Sequence, residues 1–350
     1  MKEEVIKIFD SYMTDNTNNH SYNYPNNIDI EFLSYHKIDM IYYDYLDRNH
    51  LTFPSELTSK KQKIIVRNAG YLSIAKQLSQ LFNHYNIKHV FLKGISCILN
   101  IYKENWHRYF NDIDLLVDKK DLHLVESILL ELGYIYGKRE KETIVSASRN
   151  QILFQRAFTH ELYNMCRMEK DGWVSNVDVN FLFSWKGINK TENENISISE
   201  LCDHIISVQG LCVFDKIINM MHLCCHLYNE AVYFLLDKEF HGGDPKEIQL
   251  NRILDIALLS KEFTKSDFNE LFVISNKYHL FHKVIYSILL VNHLLNLRIA
   301  NGMIKEEEPT NFNEYYTPNK EVAFWPISVD ERVFSLTQKK EITAKMFVAE

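Results

Sequence analysis

His89-Val90-Phe91-Leu92-Lys93-Gly94-Ile95-Ser96, followed by Arg108 and then by Asp112-Ile113-Asp114-Leu115-Leu116-Val117, is the stretch that decides the fold. The first four residues form a short apolar run of strand type, and Lys93-Gly94 closes it. Ile95 to Tyr102 has helical character. Asp112 to Val117 is a second strand, with two acidic residues two positions apart and an apolar run behind them.

The same alternation extends outward. From Lys60 to Tyr85 the apolar residues Ile64, Ile65, Tyr71, Leu72, Ile74, Ala75, Leu78 and Leu81 recur at helical spacing. Asp121 is the expected N-cap of a helix running to Leu132, with Gly133 as its C-cap. Further strands are expected within Glu161–Met168 and Trp173–Phe183. Strand, helix, strand, helix and further strands predict an α/β (α+β) layout with a mixed sheet flanked by helices. Beyond Ser197 long helical runs are expected, over Asp215–Tyr228, Leu250–Leu259 and Phe281–Leu297. The reading therefore divides the chain into an N-terminal helical segment (1–60), a sheet domain (61–186), a helical domain (187–302) and a polar C-terminal arm (303–350). The Asn- and Tyr-rich stretch Thr14–Asn27 reads as a surface loop, and Glu306-Glu307-Glu308-Pro309 as a breaker.

The 350 residues suffice for two packed domains, and 46% hydrophobic with 24% charged residues is the balance of a soluble globular protein. A formal charge of −7 disfavours a polymeric nucleic-acid partner, whose phosphates call for a basic surface. Cys97, Cys166, Cys202, Cys212, Cys224 and Cys225 are scattered and form no Cys-x-x-Cys pair. They are expected to be reduced thiols of a cytoplasmic protein. The N-terminal residues lack the apolar core of a signal peptide. The most apolar segment, Val284 to Ile299, is interrupted by Asn292, His293, Asn296 and Arg298, so no membrane span is expected.

Asp112 and Asp114 project from one strand face, where two carboxylates repel unless a cation lies between them. Mg²⁺, a hard oxygen-seeking ion held by one or two carboxylates and substrate phosphates, suits that need. Lys93-Gly94 at a strand-to-helix turn is the second element. Glycine permits close backbone approach to a phosphate, the helix N-terminus offers N–H groups, and Lys93 and Ser96 add a charge and a hydroxyl. Each feature alone is as well explained by an ordinary turn. Their order is more specific.

Phe91-Leu92-Lys93-Gly94, Tyr102, Arg108, Asp112 to Val117 and Leu132-Gly133-Tyr134 together resemble the polymerase-β superfamily, within it a group of uncharacterised bacterial nucleotidyltransferases. The resemblance extends back to Arg67-Asn68 and forward through Val177-Asp178-Val179, Leu223-Cys224-Cys225-His226 and Leu254-Asp255-Ile256-Ala257. It implies that Asp112, Asp114 and Asp178 hold two Mg²⁺ ions, which Mn²⁺ can replace, with Asp178 a metal ligand or the general base. It further implies that Lys93, Gly94 and Ser96 bind the nucleotide, and that Arg108 contacts phosphates or orients the acidic loop. The implied reaction moves NMP from an NTP, with ATP favoured, to a small-molecule or protein acceptor; a tRNA end stays open as acceptor. A toxin- or defence-type transferase acting on tRNA or protein, and a degenerate nucleotide-binding module, are the alternatives. Two features depart from the pattern: Lys93-Gly94 stands where the superfamily has Gly-Ser or Gly-Gly, though it suits the uncharacterised group, and Asn180-Phe181 follows Asp178 where that group commonly has His-Trp. Glu161 and Glu169 are the fallback for the third carboxylate.

His222, Cys224, Cys225 and His226 lie at spacings that a metal could share, but buried packing explains them better, since no Glu completes the metalloprotease pattern. His226 and Asp255 are candidates for contact with nucleotide or acceptor. His241-Gly242-Gly243-Asp244-Pro245 is a loop that turn chemistry explains.

Overall fold

The computed structural model describes residues 1–14, 28–52, 54–140, 143–184, 196–233, 248–304, 310–317 and 321–335. The expected loop at Thr14–Asn27 (beyond Thr14), the His241–Pro245 loop and the Glu306–Pro309 breaker lie outside the described residues. The chain divides into two compact units. One comprises residues 1–61, 224–265 and 282–350; the other comprises 62–223 and 266–281.

In chain order the elements are α1 (Lys2–Thr14), α2 (Ile30–Tyr35), α3 (Asp39–Arg48), α4 (Ser55–His84), β1 (His89–Phe91), α5 (Lys93–Asn100), β2 (Ile113–Val117), α6 (Leu122–Glu131), β3 (Ile135–Glu140), β4 (Thr143–Ser146), α7 (Arg149–Phe158), β5 (Met165–Met168), β6 (Val174–Asn180), β7 (Ile205–Val208), β8 (Leu211–Phe214) and α8 (Lys216–Val232). Helices Leu250–Ser260, Lys265–Lys277 and Phe281–Leu295 follow, then a hairpin of Glu314–Tyr316 with Val322–Phe324 and a last helix, Val329–Phe334.

The second unit is built on a six-stranded sheet in the order β1-β2-β6-β5-β3-β4. Every neighbouring pair is antiparallel except β2 and β6, which run parallel. The expected mixed sheet flanked by helices is what the structure has. Alternation along the strands sends Ile113, Leu115, Val117, Val177 and Val179 to one face, where they join the apolar side of α4 in a single core. Tyr71, Ile74, Ala75, Leu78 and Phe82 form that side, at the spacing that sequence periodicity predicts. Fully burying one such aromatic or aliphatic side chain contributes about 1.5–3 kcal/mol. Just past the end of α4, Asn86 has a φ of 55° that lets the Ile87 amide reach back to the Phe82 carbonyl at 2.8 Å.

Several local expectations needed correction. Asp121 is the N-cap of α6 as expected, but without a side-chain cap bond; a short 3₁₀ turn, Lys119–Asp121, precedes the helix, and Asp118 caps that turn by accepting from the Lys120 amide at 3.2 Å. The β3–β4 hairpin and α7 fall in a stretch where no element was expected. Ser148 and Gln151 form a capping box at the start of α7, the local signal for that helix. After Ser197 the chain forms the β7–β8 hairpin before any long helix. Its turn, Gln209-Gly210, has φ of 51° and 81°, the left-handed pair that a two-residue hairpin loop requires. Leu211 and Val213 enter the core of the sheet unit.

The first unit is mainly helical. Gln249 Nε2 donates to the Tyr35 carbonyl at 2.9 Å, and Ser287 Oγ donates to the Cys224 carbonyl at 2.7 Å. Asp330 receives Lys2 Nζ at 2.5 Å and His293 Nε2 at 2.6 Å, tying the last helix to α1. No helix among the described residues is long and apolar enough to cross a membrane.

Candidate active site

The site is assembled at one end of the sheet. In the parallel pair β2–β6, Asp114 stands directly opposite Asp178. Cross-strand partners share a face and lie about 5 Å apart, so these two carboxylates emerge side by side. Asp112 lies two residues before Asp114, at the mouth of the same strand, and is half-buried, as is Asp178. Asp114 is 8% exposed at its side chain, and Lys93 Nζ donates to its Oδ1 at 2.8 Å.

That ion pair follows from an unusual backbone. Lys93 has φ of 43°, a left-handed conformation costing a non-glycine residue roughly 1–2 kcal/mol. It marks the sharp turn from β1 into α5, where the Leu92 amide still bonds the Asp114 carbonyl at 2.9 Å. Gly94 also answers a packing demand within the unit. A Cβ there would stand 2.5 Å from Cγ of Phe110, so the missing side chain makes room for an aromatic ring of the same unit. Ser96 is buried, with no hydrogen-bond partner for its Oγ, so its hydroxyl meets a ligand only if this turn opens.

Arg108 is also buried, 2% exposed, and its Nη1 donates to the Tyr109 carbonyl at 2.7 Å. As folded it is bonded within the loop that leads into Asp112. Asp178 is oriented by Asn176, two residues back on the same face, whose Nδ2 donates to Oδ1 at 3.1 Å. Sequence reading missed Asn176, although its spacing from Asp178 is that of same-face neighbours on a strand. Asn180, which stands where the pattern has His, donates to the carbonyls of Leu115 at 3.4 Å and Asp178 at 3.3 Å. It staples β6 to β2.

Glu169 is committed elsewhere: Arg167 Nε reaches its Oε1 at 2.8 Å and Arg167 Nη2 its Oε2 at 3.1 Å. Glu161 forms an isolated bridge with Asn180 and accepts from Gln155 Nε2 at 3.0 Å. Of the three candidates for the third carboxylate, only Asp178 is in register with Asp114. Next to Asp178, on β5, burial pushes the Cys166 thiol up to about 11, and the Asp178 charge adds to the effect. Burial likewise raises the Tyr71 hydroxyl, with opposing contributions from Arg67 (lowering) and Asp112 (raising).

Among the described residues no three His, Cys, Asp or Glu groups stand close enough to hold a metal ion as they are. At the acidic pair the Lys93 ammonium sits on Asp114. The donor set fits a hard divalent ion, being all carboxylate oxygen. His222 and Cys224-Cys225 are buried, and the His222 ring lies edge-on to Phe183 at 5.2 Å. His226 and Asp255 belong to the other unit, where His226 Nε2 is 3.5 Å from Glu230 Oε1 and Asp255 is buried.

Residues 30–296 match the model of a family described as uncharacterised nucleotidyltransferase. The chain belongs to this family. The match takes in the whole acidic site, from Lys93 through Asp112 and Asp114 to Asp178. Among curated proteins none matches. A solved structure, an antigenic nucleotidyltransferase-like protein from Paracoccidioides brasiliensis, is 13% identical; the likeness covers 64% of this chain and 91% of that one at a TM-score of 0.35. At that distance it carries no information about the site of this nucleotidyltransferase-family chain.

Proposed function

We propose that the protein is a Mg²⁺-dependent nucleotidyltransferase that transfers NMP from an NTP, with ATP (hence AMP) favoured, to a hydroxyl of a small-molecule or protein acceptor and releases pyrophosphate. The observation that carries this reading is the register of Asp114 against Asp178, with Asp112 and Lys93 at the same end of the sheet. Asp112, Asp114 and Asp178 would hold the divalent ions, Mg²⁺ or Mn²⁺. When bound, these supply charge neutralisation at the triphosphate and a lowered pKa for the attacking hydroxyl.

The chain's own groups do the rest. A new bond forms from the acceptor oxygen to the α-phosphorus, and the bond to the bridging oxygen of the β-phosphate breaks, its electron pair leaving with pyrophosphate. The hydroxyl proton passes to the Asp178 carboxylate, whose Oδ1 is fixed by Asn176. Lys93 exchanges Asp114 for the β- and γ-phosphates, following the charge as it builds on the leaving group. The net charge of −7 favours a small or protein acceptor over a polynucleotide.

A degenerate nucleotide-binding module is the second reading, and the Lys93–Asp114 pair favours it, since an internal ammonium can replace the metal permanently. Calorimetric titration of ATP, GTP, CTP and UTP with Mg²⁺ separates the two. Wild type is expected to bind ATP only with Mg²⁺, and Asp112→Asn/Asp114→Asn to fold and lose that binding. Wild type that binds none of the four nucleotides sinks the transferase; binding indifferent to Mg²⁺ and to the substitutions supports the module.

A further inference from the structure

Residues 105–112 join α5 to β2 outside any ladder, yet His107, Arg108 and Phe110 within them are buried. Backbone carbonyls in such a segment need donors from elsewhere. Helix α4 supplies them from two side chains one turn apart. Asn68 Nδ2 donates to the Asn105 carbonyl at 2.6 Å and to the Arg108 carbonyl at 3.0 Å. The Tyr71 hydroxyl donates to the carbonyl of Asn111. The accepted carbonyls are spaced three apart along the loop, and the last belongs to the residue before Asp112.

Packing holds both donors still. The Tyr71 ring lies 5.3 Å from Phe110 and 4.9 Å from Trp173, and Asn68 is 1% exposed. Phe110 in turn fills the space beside Gly94, so the same clasp touches the Lys93 turn and the acidic strand. Moving the Asn111 peptide would swing Asp112 off the face that Asp114 and Asp178 share.

We propose that Asn68 and Tyr71 are positioning residues: they fix loop 105–112 and so aim the Asp112 carboxylate at the divalent ion and nucleotide phosphates, without touching either. This inference rests on the proposed function, because it assigns Asp112 to that site. Tyr71→Phe is the informative variant, since it keeps the ring and removes only the hydroxyl; Asn68→Leu is the second. Three measurements on the full chain decide: thermal unfolding, amide hydrogen exchange of peptides covering 105–112, and Mn²⁺ titration followed by electron paramagnetic resonance, with and without ATP.

Tyr71→Phe is expected to unfold within a few degrees of wild type. It should exchange faster by about five- to tenfold in 105–112 alone and bind Mn²⁺ about five- to tenfold more weakly, the weight of one hydrogen bond. A purely structural role would lower the melting temperature and leave Mn²⁺ affinity of the folded protein unchanged; that outcome, or unchanged exchange in both variants, overturns the positioning role alone. Wild type that binds no Mn²⁺, with or without ATP, overturns the proposed function and this inference with it.

Discussion

Lys93 combines two costs in one residue: a left-handed backbone and a long side chain held on a buried carboxylate. Both are offset if its ammonium serves as counter-ion to the acidic cluster. Lys93→Met is therefore expected to lose about 1–3 kcal/mol in metal-free buffer, since it removes the ammonium from the buried Asp114 carboxylate. Mg²⁺ at millimolar concentration should restore most of it, so a melt of this variant rises with Mg²⁺ far more than one of wild type. Equal responses would remove Lys93 from the site's electrostatics. Asp112, Asp114, Lys93 and Arg108 were legible in the sequence because type and spacing mark them. Asn176 and Tyr71 were not, because a strand Asn and a helix Tyr acquire their meaning only from which carboxylate or carbonyl the fold places against them. The Phe110 ring against Gly94 was not legible either, because a contact between residues 16 apart is set by the fold.

At the scale of elements, α4 and β1 are joined by a buried histidine. Ile87 offers His89 only a carbonyl, at 3.0 Å, so Nδ1 must carry the proton, and Nε2 accepts from Ser79 Oγ at 2.9 Å. Burial lowers the pKa of His89 from 6.5. The unfolded chain then takes up a proton first as pH falls, so this contribution is complete above that value and declines below it. Melting temperature should drop between about pH 7 and pH 5, and His89→Gln should flatten part of the slope; an unchanged slope would place the acid sensitivity elsewhere. The β7–β8 hairpin offers a second test. Gly210, at φ of 81° with open space where a Cβ would stand, is expected to cost about 1–2 kcal/mol as Val through backbone conformation alone. Asn there should cost less than half as much by chemical denaturation, and equal losses would point to packing instead. Strands β1, β2, β5 and β6 of the sheet were readable from apolar alternation, with errors of a few residues at their ends, whereas β3 and β4, mostly exposed, carry no such alternation. This hairpin was not, since Ile205 to Phe214 is apolar enough to pass for a helix unless Gln209-Gly210 is taken as its turn.

Across the whole molecule, the cysteines report on both units. Cys97 and Cys166 are buried in the sheet unit, Cys224 and Cys225 in the other, and Cys202 is exposed. A thiol reagent at neutral pH is expected to label Cys202 at once and these four buried thiols only through opening. Elevation of Cys166 to about 11 slows it further, because the thiolate is the reactive form. Peptide mapping over a denaturant series should show Cys97 and Cys225 becoming reactive at one midpoint. Two midpoints would mean the units open separately.

The order in which the units draw on the chain bears on synthesis. Residues 1–61 belong with 224–265, and the sheet unit lies between them along the chain. At about 5–20 residues per second, the first helices leave the ribosome roughly 10–30 s before residues 224–265 of the same unit exist. During that interval Val5, Ile8, Phe9 and Tyr12 of α1, all buried in the finished protein, have α3 to pack on but none of residues 224–265. Translation speed between codons 62 and 223 is thus expected to govern soluble yield, and slowing it should cost more protein than slowing any later stretch.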